Sequence, residues 1–140
     1  MYLYIKMLKL EILSLDHVGF PVHDVERSLH FYSGVLGLPS ERVDAFRAGR
    51  VPFPSVRINE TTIIDLFPPS FIRRAPGGGN VDHIALTLSN TPGQIRAYLL
   101  ENNVPIVKEM TGNFGAEGDT AHAFHVTDPD GNMIELHAYV

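Results

Sequence analysis

An internal repeat is the feature of this chain that most constrains its fold. Residues 15–22 (LDHVGFPV) align without a gap with residues 81–88 (VDHIALTL), and at the same offset Tyr32 aligns with Tyr98. The repeated unit is longer than the units of solenoid arrays, and the 140 residues hold only two copies of it. The repeat therefore predicts a duplicated module.

Both copies predict the same order of elements: one strand, one helix and three further strands (βαβββ). In the first copy the predicted helix covers 25–36, and the strands fall near 13–22, 38–46, 53–58 and 62–67. In the second copy the helix covers 92–102, a glycine-rich loop covers 111–118, and the strands fall near 81–88, 104–108, 121–126 and 132–139. Many strands and few helices favour an α+β fold, with the two βαβββ modules forming a cupped, mostly antiparallel sheet.

The predicted modules form a single domain over residues 10–140, after a short N-terminal extension over residues 1–9. Module one covers 10–70 and module two covers 81–140. Prolines and glycines across 68–80 predict a linker between the modules. Two open modules leave edge strands that one chain of this length covers poorly, so we expect a homodimer.

Composition excludes several classes of protein. The net charge of −5, without a basic cluster, argues against nucleic-acid binding. No apolar run reaches the roughly 18 residues of a membrane span, and the N-terminus does not resemble a signal peptide, so a cytoplasmic protein is expected. The absence of cysteine excludes disulfides, zinc fingers and thiol nucleophiles. Histidine, with seven residues, and the carboxylates are then the strong ligands left for a transition metal.

The alternation of side chains along the strands gives the main clue to function. His17 and His83 occupy equivalent positions, opposite the apolar residues that should pack on the helix of each module. Asp65 and Glu135 have the same placement in the last strand of each module. If the modules pair, two histidines and two carboxylates converge as a site for a divalent metal, with positions open to water or substrate. Structural histidine–carboxylate pairs are the alternative, which the recurrence of all four as a set disfavours.

Five short motifs of the chain, two of which contain the candidate histidines, resemble those of a known family. They are LDHV at 15–18, FY at 31–32, GVLGL at 34–38, VDHIAL at 81–86 and DPDGNMIEL at 128–136. In this order, over residues 13–140, they resemble the vicinal oxygen chelate superfamily. That superfamily includes glyoxalase I, methylmalonyl-CoA epimerase, fosfomycin resistance proteins, extradiol dioxygenases and bleomycin resistance proteins. The resemblance implies paired βαβββ modules around one divalent metal (Zn, Ni, Mn, Co or Fe), which binds two neighbouring oxygens of a small-molecule substrate.

The resemblance also implies a ligand set, which matches His17, Asp65, His83 and Glu135 of this chain. Asp65 departs from the pattern that the resemblance implies, because glyoxalase-like members carry glutamate at the equivalent position. Aspartate is one methylene shorter, a loss of reach of about 1.5 Å. Direct ligation by Asp65 and ligation through water therefore both stay open.

The leading hypothesis is a metal-dependent glyoxalase-like lyase or isomerase that transfers a proton and stabilises an enediolate or enolate. Glu135 is the first candidate for the proton-transferring carboxylate, and Asp65 is the second. Arg57, Asn113 and His137 are candidate substrate contacts. The alternatives are an extradiol-type dioxygenase, a fosfomycin-type thiol transferase and, in another class, a metal-free binding protein like the bleomycin resistance proteins.

Overall fold

The computed structural model describes residues 8–71, 80–127 and 131–139. Its strands are β1 (Ile12–Pro21), β2 (Ser40–Glu41), β3 (Ser55–Asn59), β4 (Thr62–Phe67), β5 (His83–Leu88), β6 (Lys108–Gly115), β7 (Gly118–Thr127) and β8 (Met133–Ala138). Its helices are α1 (Val25–Leu29), which continues as a π-helical segment over His30–Val35, then α2 (Val43–Arg47) and α3 (Pro92–Glu101). The sequence DPDGN at 128–132 predicts a turn, of which residues 128–130 lie outside the described residues. Residues 1–7 of the extension, residues 72–79 of the linker and residue 140 lie outside them as well.

The strands form one sheet in the order β2-β3-β4-β1-β5-β8-β7-β6. In the first module β1 is parallel to β4, and β4, β3 and β2 follow as antiparallel neighbours. The second module repeats this arrangement with β5, β8, β7 and β6. The two modules meet where β1 pairs antiparallel with β5 at the centre of the sheet. The predicted α+β fold of two βαβββ modules is confirmed, and the modules pair within one chain.

Two apolar clusters hold the helices against one face of the sheet. The first contains the buried residues Val25, Leu29, Val56 and Leu66. The second contains Leu88, Ile95, Leu99, Phe124, Val126, Leu136 and Ala138. Ile64 and Ile134 pack at the edges of these clusters, as the alternation of side chains predicts. The opposite, concave face is therefore left for His17, Asp65, His83 and Glu135.

The strand predicted near 38–46 is wrong over most of its length. Only Ser40–Glu41 pairs as a strand, and Arg42 then adopts a left-handed backbone with φ of 64°. This conformation cannot continue a strand, and α2 follows at once, with Val43 and Phe46 packed on the first apolar cluster.

The strand predicted at 104–108 and the loop predicted at 111–118 are also wrong. The strand β6 covers Lys108–Gly115, and a two-residue turn leads into β7. Gly112 has a positive φ of 71° at a register shift between Met110 and Asn113. The glycines that suggested a loop therefore serve a β-bulge and a tight hairpin.

The helix predicted over 25–36 changes its hydrogen-bonding pattern after Leu29. Asp24 caps α1 by accepting a hydrogen bond from the backbone N–H of Arg27. In the π-helical segment, the N–H of Leu36 donates to the carbonyl of Phe31 at 2.9 Å.

Among the described residues, no helix combines the length and apolarity that crossing a membrane requires.

The homodimer remains a prediction. Exposed apolar side chains, which a second chain would cover, support it. Ile12, Leu13 and Val35 expose 54%, 58% and 63% of their surface. Light scattering at micromolar concentration should give about twice the chain mass of 15.5 kDa. A mass equal to that of one chain would contradict this expectation.

Candidate metal centre

The four predicted ligands lie on the four central strands of the sheet. His17 is on β1, Asp65 on β4, His83 on β5 and Glu135 on β8. Each is 4% exposed or less. The pairing of Gly19 with both Asp65 and His83 sets these strands in the register that brings the side chains together on the concave face.

Three of these side chains converge on one point. The Nε2 atoms of His17 and His83 lie 2.9 Å apart, and Glu135 Oε2 lies 3.1 Å from each of them. Two donors bound at right angles, each about 2.1 Å from a transition metal, lie about 3.0 Å apart. The three donors therefore fit one face of an octahedral ion, and two imidazoles with one carboxylate suit a divalent transition metal.

Each of the two histidines is oriented by the aspartate that precedes it. His17 Nδ1 donates to Asp16 at 2.7 Å, and His83 Nδ1 donates to Asp82 at 2.8 Å. With the protons fixed on Nδ1, the Nε2 lone pairs point to the shared centre, which is the usual arrangement of metal-binding histidines. The role of Asp16 and Asp82 was not predicted, although the Asp-His pair recurs in both modules of the sequence.

A β-bulge explains how Asp16 and His17, neighbours in the chain, are both buried beside the site. The register of β1 against β5 shifts between Leu15 and His17, so strict alternation fails at Asp16. Burial raises the pKa of Asp16, but hydrogen bonds from His17, Tyr139 and the backbone N–H of Ala116 outweigh it and lower the pKa to about 2. Asp16 is therefore ionised and holds His17 firmly.

Both oxygens of Glu135 are engaged. Oε1 accepts from His125 at 3.0 Å and from Asn113 at 3.2 Å, while Oε2 faces the two central histidines. Burial raises the pKa of Glu135, but the hydrogen bonds from the histidines outweigh it and hold the pKa well below its usual range. Glu135 is thus a fixed anion with the properties of a ligand.

Asp65 stands apart from the other three donors. Its Oδ2 lies 3.7 Å from His17 Nε2, and its Oδ1 accepts a hydrogen bond from Ser55 at 2.6 Å. Burial raises the pKa of this carboxyl above its ordinary value, although His17 and Ser55 oppose the shift. The shorter side chain keeps Asp65 beside the three donors, in contact with the same cavity.

The site opens into a cavity of about 300 Å³. The cavity is lined by His17, Arg42, Pro52, Phe53, Asp65, Phe67, Phe71, His83, Met110, Asn113, Phe114 and Glu135. One end is polar and holds the metal-ligand candidates, and phenylalanine side chains form much of the rest. This volume suits a small organic molecule.

The three predicted substrate contacts fall in different places. Asn113 lines the cavity, although it lies on a strand. Arg57 is not among the lining residues, and its guanidinium is engaged by Glu41 and by the carbonyl of Ala116. His137 is fully buried with Nε2 3.2 Å from Glu135, so it supports the site from behind. Arg42 and three of the phenylalanines in the cavity wall, Phe53, Phe67 and Phe71, were not predicted from the sequence.

The protonation of His17 predicts how stability depends on pH in the metal-free protein. Burial lowers the pKa of His17, but hydrogen bonds with Asp16 and Glu135 outweigh it and raise the pKa from 6.5 to about 10. The stabilisation is complete below pH 6.5 and lost as pH rises through about 10. Urea unfolding of protein treated with a chelator should therefore show a free energy of unfolding that falls across this window. A His17→Gln variant with an equal fall would contradict the assignment.

The close packing at Gly19 predicts a second effect on stability. A Cβ at this position would lie 2.5 Å from Phe67 Cε2 and 3.0 Å from His83 Cε1. We expect Gly19→Ala to destabilise the metal-free protein by about 1–3 kcal/mol, because the crowded rings must move. Gly93→Ala is the matched control, since nothing lies within 4 Å of the added methyl and the position is helical. Equal urea midpoints for the two variants would contradict this expectation.

Comparison with known proteins agrees with this architecture. The family model of the Glyoxalase/Bleomycin resistance protein/Dioxygenase superfamily matches residues 14–136, and the chain therefore belongs to this superfamily. It is 29% identical over 126 residues to the virulence protein STM3117 of Salmonella typhimurium, covering 90% of this chain and 84% of that protein. It is 30% identical over 132 residues to the metallothiol transferase FosB of Staphylococcus epidermidis, covering 91% and 83% of the two chains.

A solved structure shares the fold. Methylmalonyl-CoA epimerase from Mycobacterium tuberculosis matches with a TM-score of 0.63 and 20% identity, covering 92% of this chain and 89% of the epimerase. At this identity the likeness supports the sheet topology, while chemistry must be argued from the side chains of this chain.

Proposed function

We propose that the protein is a metal-dependent, glyoxalase-like lyase or isomerase that acts on a small, oxygen-chelating substrate by proton transfer. One observation carries the proposal. Three donors, from His17, His83 and Glu135, converge within 3.1 Å of one another at the end of a cavity that a second carboxylate, that of Asp65, also lines. A metal-free binding protein has no need of such a donor set.

In this proposal His17, His83 and Glu135 hold the ion, and Asp16 and Asp82 fix the two imidazoles. A divalent ion would supply Lewis-acid stabilisation of negative charge on a substrate oxygen. All three donors are buried, and electrostatic interactions with a group held by them would be stronger there than in water.

We assign the transfer of the proton to Asp65, which reverses the order of the two carboxylates expected from the sequence. Glu135 is fully engaged by its donors, whereas Asp65 Oδ2 lies 3.7 Å from His17 Nε2. A buried carboxylate with a raised pKa is the stronger base of the two. Asp65 then removes a proton from carbon beside the chelating oxygens, while Ser55 holds its other oxygen in place.

Two other chemistries of the superfamily compete with this assignment. Two histidines and one carboxylate on one face of an ion are typical of iron(II) oxygenases, which favours the extradiol-type dioxygenase as second candidate. The similarity to FosB favours a thiol transferase. In either case Asp65 is not needed as a base.

The test begins with metal analysis of the purified protein. One divalent ion per chain is expected. The loaded protein is then screened with α-ketoaldehyde–thiol adducts, acyl-CoA esters, catechols with oxygen, and epoxides with thiols. Exchange of a carbon-bound proton with solvent deuterium in the first two groups supports the proposal, and turnover confined to the last two groups refutes it. Tight binding of a small molecule by a persistently metal-free protein would favour the bleomycin-resistance-like binder.

The cytoplasm is the proposed location.

A further inference from the structure

Arg42 lines the cavity, but the proposed function gives it no role. Its backbone lies in the left-handed region, with φ of 64° and ψ of 15°, where residues with a side chain are uncommon. Strained backbone of this kind concentrates at functional sites. The strain turns the chain sharply between β2 and α2, and the Arg42 side chain reaches the cavity wall.

The guanidinium of Arg42 is held between aromatic rings. Its Cζ lies 3.9 Å from the centroid of the Phe114 ring and 4.8 Å from that of Phe53. Stacking on two rings fixes the position of the charged group without using its N–H donors.

One nitrogen of the Arg42 guanidinium has no protein partner among the described residues. Nη1 is buried and makes no hydrogen bond among the described residues. Three carboxylates lie near enough to act on the charge of Arg42, those of Glu41, Asp65 and Asp119, but none of them accepts a hydrogen bond from Nη1. A buried donor of a charged group without a partner is costly, so a ligand that accepts from it would gain the full benefit of that hydrogen bond.

The position of Arg42 in the cavity wall places this donor within reach of a bound ligand. Arg42 lines the same cavity as His17, His83 and Glu135, and phenylalanine rings lie along the wall. Phe53, Phe67 and Phe71 pack against each other with ring centroids 4.8 to 5.2 Å apart. The cavity thus combines a metal-ligand end, an apolar aromatic wall and a fixed cation.

We propose that Arg42 binds an anionic oxygen group of the substrate, a carboxylate or a phosphonate. This inference rests on the proposed function and narrows its substrate class. The substrate is a small acid whose chelating oxygens lie at one end, whose apolar body lies against the phenylalanines, and whose anionic group reaches Arg42.

The experiment compares two probes on the metal-loaded protein by calorimetry. Benzohydroxamate chelates a metal through two neighbouring oxygens and is otherwise neutral, and its meta- and para-carboxylated forms add the anion. We expect at least one carboxylated form to bind about tenfold or more tightly than benzohydroxamate, as a charge-assisted hydrogen bond in a partly closed site would give. Arg42→Gly should remove this preference, so that the carboxylated forms bind the variant no more tightly than benzohydroxamate does.

Glycine is chosen at position 42 because it adopts the observed φ without strain, so the variant is expected to fold at least as well. Arg50→Gly removes the same charge from an exposed arginine and should keep the preference. The inference is overturned if neither carboxylated form is preferred by the wild type, or if the preference survives in Arg42→Gly.

A second measurement separates this inference from the proposed function. Benzoate and phenylphosphonate are titrated into metal-free protein and followed by NMR. Shifts at Phe53 and Phe114 that vanish in Arg42→Gly support the anion site even if no metal is bound, and the stronger of the two probes identifies the anionic group. Failure of benzohydroxamate to bind the metal-loaded protein would instead refute the proposed function. Equal shifts in wild type and Arg42→Gly would refute the role of Arg42.

Discussion

Replacing His83 with alanine should weaken the binding of a divalent metal by a factor on the order of a hundred or more. Loss of a residue that only orients a ligand already costs about ten- to a hundredfold in affinity, and His83 is a ligand itself. Its Nε2 lies 2.9 Å from His17 and 3.1 Å from Glu135, and no other described histidine is placed to replace it within the triad. Metal content after dialysis and calorimetric titration measure the effect.

Two variants control this prediction. Asp65→Ala should retain more metal than His83→Ala, because Asp65 Oδ2 lies 3.7 Å from His17 Nε2 and outside the group of three. His23→Ala removes an exposed histidine and should bind metal as the wild type does. Circular dichroism confirms that each variant is folded. Metal content in folded His83→Ala equal to that of the wild type would reject the assignment.

Asp65→Asn should lower turnover by a factor on the order of 100 to 10,000, which is the usual scale for loss of a positioned base. The amide keeps the size and the contact with Ser55, but it does not take up a proton. Since the three converging donors are untouched, the variant should hold as much metal as the wild type. Turnover and metal content are measured on one preparation, with the substrate found in the screen.

Glu135→Gln is the matched comparison for Asp65→Asn. The change leaves a weak oxygen ligand and disturbs the contacts with His125 and Asn113, so metal content and turnover should fall together. Full turnover in metal-replete Asp65→Asn, with loss of turnover in metal-replete Glu135→Gln, would return the base to Glu135.

The repeat and the alternation along its strands predicted the centre of the fold well. His17 and His83, and likewise Asp65 and Glu135, occupy equivalent places in two modules, and the parity of buried strands is a strong local rule. Leu66 and Leu136 pack in the two apolar clusters, and the acidic residue beside each points the other way. The sequence left open whether the modules pair within one chain, because register between β1 and β5 depends on both strands at once.

What could not be predicted depends on departures from regular structure. The bulge that buries Asp16 beside His17 breaks the alternation on which the prediction rested. Arg42 adopts a backbone conformation that glycine usually takes, so nothing in the sequence marked the end of β2 there. Gly112 suggested a loop, yet it lies in a bulged strand, because a single positive φ fits both settings.

The pairing of β8 with β5 has a consequence for when the proposed metal site can form during synthesis. His17 and His83 leave the ribosome before Glu135, and the last strand, β8, must align beside β5 before the third donor reaches the other two. Contacts between residues so distant in sequence form late in folding. A chain with two histidines alone is a weak competitor for metal, so tight binding would wait until β8 has paired with β5. Metal added during refolding should therefore leave the early phases unchanged and slow only the unfolding of the finished protein.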